Sequence, residues 1–149
     1  MTDAQPLSDE NVTAFVTAWY VVLDIHAPAQ ECRRFLADQE FEMAYPERTL
    51  RSYGDFDDWL AGIYSTFFDE EHHVQSVTIS SRTETTGDLD VVVGWQASWF
   101  TPPDAKSKRT SMNAIQRWTI QESDKNRFGL EIRRYHVDRF DYAPGFVQL

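Results

Sequence analysis

Cysteine is nearly missing from this chain: Cys32 is the single one in 149 residues. No internal disulfide can form, and a reducing compartment, the cytoplasm, is the expected setting. Glycine and proline are sparse at six each, which excludes collagen-like and low-complexity architectures. No stretch comes near the roughly 18 apolar residues that span a bilayer as a helix. The segment Met1–Asp9 is polar and acidic, without the basic start and apolar run of a secretory leader. Basic residues are in short supply, 14 Lys and Arg against 24 Asp and Glu, for a formal net charge of −10. A surface of that sign repels phosphate, so neither nucleic acid nor an anionic membrane is an expected partner.

What is present is aromatic. Phe, Trp and Tyr make up 14% of the chain and hydrophobic residues 42%, enough for a folded core and too much for a disordered protein. The length fits a single domain over 1–149, with residues 1–7 expected as a disordered tail.

Ser8 is placed to cap a helix, with Asp9 and Glu10 in its first turn. Val12, Phe15, Val16, Trp19, Tyr20 and Leu23 then recur at helical spacing. Pro28 opens a second helix that should run to about Ala37 and bury Phe35 and Leu36. Phe41 to Tyr45 reads as a short strand stopped by Pro46. Asp55 is the expected cap of a third helix, whose apolar face is Phe56, Trp59, Leu60, Ile63 and Phe67. Beyond it the pattern changes. Segments 72–84, 89–100, 109–122 and 130–142 are rich in β-branched and aromatic residues, and turn signals separate them. Four such strands with short connections predict an antiparallel meander. Helices ahead of a run of strands predict an α+β fold with helices on one face of a curved sheet. Val92 and Phe100 put apolar area on the second face as well, which predicts a homodimer through that open face.

The candidate functional residues stand out against these patterns. Asp24 continues the buried row of Val16 and Tyr20 at i+4. A carboxylate there either enters a cavity, where desolvation and the helix dipole suit it to proton transfer, or it is solvated and caps the helix near Pro28. His72 opens a strand and His73, its neighbour, faces the other way. The plain alternative for His72 is a polar strand start after Asp69, Glu70 and Glu71. His136 and Asp138 alternate with Leu130, Ile132 and Arg134 on what a regular strand would make one face. They are read as the polar wall of a dry cavity, or else as an exposed ion network with Arg133, Arg134 and Arg139. Trp19, Trp59, Ile63 and Tyr45 are candidate wall residues. No zinc-type His and Cys spacing occurs, so no metal is expected. Cys32, beside Arg33 and Arg34, is read as a core residue rather than a nucleophile.

The order of elements, the Asp24 that closes the first helix, the histidine-led strand Glu71 to Ile79 and the closing strand from Leu130 to Asp138 together resemble the nuclear transport factor 2-like superfamily, and within it the SnoaL-like group. The resemblance spans nearly the whole chain. It implies a cone, with three helices packed on the concave face of the sheet around an apolar pocket for a small hydrophobic molecule. By that resemblance Asp24 orients His72, which acts as base, Tyr20 donates to a developing oxyanion, and Asp138 matches the closing-strand acid of some cyclases. The implied activities are cofactor-independent dehydration, isomerisation or cyclisation of a small carbonyl or hydroxy compound. The superfamily also holds dioxygenase small subunits and non-catalytic binding or assembly modules, so fold alone does not decide. Ketosteroid isomerase shares the fold, but its Asp before a proline is Tyr45 before Pro46 here, and its tyrosine would fall near Val16, so that chemistry is not carried over.

Overall fold

The structure, a computed structural model, describes residues 5–149. Its elements are α1 (Asp9–Asp24), α2 (Ala29–Cys32) continued by a 3₁₀ turn (Arg33–Phe35), β1 (Glu42–Tyr45), β2 (Arg48–Leu50), α3 (Tyr53–Thr66), β3 (Phe67–Arg82), β4 (Thr86–Trp99), β5 (Lys108–Glu122) and β6 (Leu130–Tyr142). The strands form one sheet in the order β2-β1-β6-β5-β4-β3. The β3–β6 meander is antiparallel, while β1 runs parallel to β6, so the sheet is mixed.

Ser8 caps α1 by accepting from Asn11 N at 3.2 Å. Ser52, not Asp55, caps α3: its hydroxyl accepts from Asp55 N at 3.1 Å, and Asp55 in turn accepts from Arg51 N at 3.0 Å. Asp55 therefore sits one turn inside, near the positive helix end. Residues 1–7 were expected to be disordered. Met1 to Ala4 lie outside the described residues, but Leu7 is buried, and its carbonyl accepts from Arg82 Nη1 at 2.7 Å.

The helices cover the concave face. Phe15, Trp19, Phe35 and Phe56 pack as tilted rings in one core with Leu89, Ile120, Leu130 and Ile132, all buried. Each such ring contributes roughly 2–3 kcal/mol on burial. The outer face is mostly polar: Val92 and Ile115, opposite each other, sit among Asp88, Asp90, Asn113 and Arg117.

Three backbone features steer side chains toward or away from the interior. In β6, Thr119 pairs with Arg134 and Ile120 with Ile132, so Arg133 is an extra residue; Asp138 is a second one. One extra residue inverts the inward and outward alternation of everything after it. In β3, Asp69 takes a left-handed conformation (φ 51°) within a bulge between Phe68 and Glu71, turning Glu70 inward. At the end of α1, His26 is also left-handed (φ 52°). His26 N donates to Leu23 O and Ala27 N to Val22 O, the paired bonds of a Schellman turn. The position His26 occupies there ordinarily favours glycine.

Candidate active site

Beside this packed core the interior is hollow. A cavity of about 500 Å³ opens between α1, α3 and the sheet. Its walls are Tyr20 and Leu23 from α1, Trp59, Leu60, Ile63 and Tyr64 from α3, and Tyr45 and Glu47 beside β1. The sheet adds Phe67, Glu70, His72, Val93, Trp95, Met112, Ala114, Gln116, Tyr135, Val137, Phe140 and Tyr142, with Leu149 at the rim. Among the described residues no Lys or Arg lines it, so the wall offers no cation to hold a carboxylate or phosphate.

Asp24 ends α1 beside the start of β3. Its carboxylate accepts from His72 N at 2.9 Å and also bonds His72 Nδ1. Two bonds to one residue fix the imidazole in place. A carboxylate at Nδ1 selects the Nδ1–H tautomer and leaves the Nε2 lone pair free. The His72 ring lines the cavity and stacks on Tyr20, centroids 4.7 Å apart at 27°. Its side chain is 10% exposed. Asp24 itself does not line the cavity and meets it only through His72.

A polar cluster lies on the floor next to His72. Tyr20 and Tyr135 share a hydroxyl–hydroxyl bond of 2.9 Å. Gln116 Nε2 donates to Tyr20 Oη at 3.0 Å, and Trp118 Nε1 donates to Gln116 Oε1 at 3.0 Å. Burial pushes the Tyr135 phenol up to about 12, although its bonds to neighbouring groups, Tyr20 first, oppose the rise. Burial raises Tyr20 and Tyr45 too, and the neighbouring Tyr135 adds to it. All three stay protonated at neutral pH, which makes them hydrogen-bond donors rather than bases.

A second histidine–carboxylate pair stands at the rim of β3. Glu70 accepts from Trp95 Nε1 at 3.1 Å and bonds His26 Nε2. The Glu70 side chain is 3% exposed, and the His26 ring stacks on Tyr64 at 4.1 Å.

Of the residues singled out from the sequence, Tyr20, Tyr45, Trp59, Ile63 and His72 line the cavity, with Asp24 directly behind His72. Three do not. Trp19 is wholly buried in the aromatic core instead. His136 and Asp138 lie on the outer face, because the extra residue Arg133 turns Tyr135 and Val137 inward in their place. Asp138 there accepts two bonds from Arg117, at 3.1 and 2.9 Å, which hold its carboxyl below the usual range. Sequence reasoning missed Glu70, Gln116 and Tyr135. Glu70 sat in an acidic run, and nothing in that run marks the bulge. Gln116 carries a fainter signal: it is the polar residue in the inward series Met112, Ala114, Gln116, Trp118 and Ile120.

No family model matches the chain, and no curated protein matches it in sequence. Solved structures do match. A proposed aromatic ring hydroxylase from Novosphingobium aromaticivorans superposes with a TM-score of 0.76 at 8% identity, over 90% of this chain and 92% of that one. A proposed dehydratase of the NTF2-like family from Streptomyces avermitilis gives 0.70 at 12% identity, over 89% and 96%. The hexachlorocyclohexane dehydrochlorinase LinA-type3 from Novosphingobium barchaimii LL02 gives 0.67 at 10% identity, over 95% and 99%. The chain therefore has the nuclear transport factor 2-like fold, in the α+β form that the order of its helices and strands implied.

Proposed function

We propose that the chain is a cofactor-independent lyase or isomerase that removes a proton next to the carbonyl of a small, neutral, hydrophobic substrate. The observation that carries this is His72, held by Asp24 at Nδ1 and presenting Nε2 to an aromatic cavity. Nε2 takes the proton, and Asp24 stabilises the imidazolium that forms. Of the bonded Tyr20 and Tyr135 hydroxyls one donates to the other, and the second, polarised by that chain and by Gln116 at Tyr20, supplies the donor for the enolate oxygen. Aromatic walls and the lack of a lining cation among the described residues favour a flat, uncharged ligand. Similarity of fold to a dehydratase and a dehydrochlorinase, both named for elimination, fits this reading.

Deuterium exchange tests the reading without knowledge of the natural substrate. In D₂O the protein should speed exchange of the protons next to the carbonyl of 1-tetralone, and His72→Gln should lower that rate at least about 100-fold. Equal exchange by both proteins removes His72 from the chemistry. Tight 1-tetralone binding with no exchange by the wild type assigns the cavity to ligand binding alone.

A further inference from the structure

We propose that Glu70 is a second catalytic residue of this cavity, a general acid recharged from solvent through His26. The inference rests on the elimination reading above and adds a separate proton donor to it. Three observations meet here. Glu70 is a carboxylate 3% exposed that lines the cavity. Its two oxygens have different partners: Oε1 accepts from Trp95 Nε1 at 3.1 Å, and Oε2 bonds His26 Nε2. The His26 side chain is 30% exposed, so one edge of the ring touches Glu70 while the ring also reaches water.

The backbone is bent to make the pair. His26 and Asp69 both hold left-handed conformations, at φ 52° and 51°. One turns the histidine off the end of α1, and the other turns Glu70 into the cavity. Glu70 and His72 stand two residues apart on β3, about 6.5–7 Å between Cα atoms. A substrate with its acidic C–H at His72 thus brings a hydroxyl one carbon farther on toward Glu70.

His72 Nε2 takes the proton from the carbon next to the carbonyl. That electron pair forms the C=C bond as the C–O bond of the neighbouring hydroxyl breaks. The hydroxyl leaves with the proton of the Glu70 carboxyl as water. Glu70 regains a proton from solvent by way of the part-exposed His26 imidazole, which ends each turnover in the protonation state in which it began, and His72 returns its proton to solvent.

Two probes separate the steps. 1-Tetralone has the exchangeable protons but no leaving group. 3-Hydroxy-1-tetralone has both, and loses water to give 1-naphthol, which is followed by its fluorescence above the uncatalysed background. In Glu70→Gln the ratio of dehydration to exchange should fall about 100-fold, through kcat, with KM within about threefold. His26→Gly, which suits the left-handed turn and so keeps the fold, should lower the same ratio about 10-fold. An unchanged ratio in both variants overturns the proposal, as does equal loss of the two rates, which is the mark of a merely structural role. If the wild type acts on neither probe, the elimination reading itself fails. The pair is then judged by ¹⁵N spectra of His26 on addition of 1-naphthol: a shift in the wild type that disappears in Glu70→Gln keeps Glu70 as the cavity's contact to His26, and an unmoved resonance overturns it.

Discussion

Two Asp–His pairs in this molecule have the same composition and opposite surroundings. Asp24 and His72 meet at the junction of α1 and β3, where the imidazole is 10% exposed and stacked on Tyr20. His136 and Asp138 lie 3.4 Å apart on the outer face of β6, where the histidine is 47% exposed and Arg117 takes most of the aspartate's bonding. Residue type makes neither one a proton-transfer site. In water the attraction between such groups is screened and their orientation is loose. Against a cavity wall one tautomer is enforced and one lone pair is aimed.

The sharpest way to break this contrast is Asp24→Asn. An amide at that position no longer enforces the Nδ1–H tautomer, so exchange of 1-tetralone should drop by about 10³ to 10⁴ while the melting temperature moves little. A drop under tenfold would place the two pairs on the same footing.

A middle-sized effect separates the inner wall from the outer face by pH. The Tyr135 phenol stands at about 12 against an ordinary 10. Unfolding lets it ionise earlier, so above pH 10 the unfolded chain binds fewer protons and stability falls as pH rises. The contribution is fully present below pH 10 and is lost toward pH 12, about 2–3 kcal/mol for this phenol. Melts from pH 8 to 11.5 with phenolate absorbance should show unfolding and tyrosine ionisation together. Ionisation of every tyrosine near pH 10 in the folded protein would contradict the buried cluster.

The smallest effect belongs to the outer pair. Asp138→Asn should leave the exchange rate within about twofold and the melting temperature near that of the wild type, since exposed pairs contribute little. Its depressed carboxyl adds stability only above its unfolded value, and that is lost as pH falls through the acid range.

Periodicity carried the sequence reading as far as regular geometry goes. The α1 stripe and the bounds of β6 were legible because helical rows and strand alternation follow sequence spacing; the placement of Asp24 beside His72 came from the family resemblance, since spacing does not say which residues meet across the fold. The short strand β2 was not: Arg48–Leu50 holds too few residues for alternation to register. Of the two readings of His136 and Asp138, the cavity wall followed from strict alternation from Leu130, and the exposed ion network is the one the structure shows, because the bulge at Arg133, which has no signature in residue type, turns them outward. Glu70 escaped for the same reason, since a left-handed Asp69 turns it inward from a run that reads as solvated. Both places lie at bulges, where one residue of slip exchanges the two faces of a sheet.

The most direct measurement is the tautomer of His72. Long-range ¹H–¹⁵N spectra of the labelled protein should find His72 protonated at Nδ1, with an Nε2 resonance that shifts on addition of 1-tetralone while His136 stays still. His72 protonated at Nε2, or an Nε2 resonance indifferent to the ketone, would contradict the account.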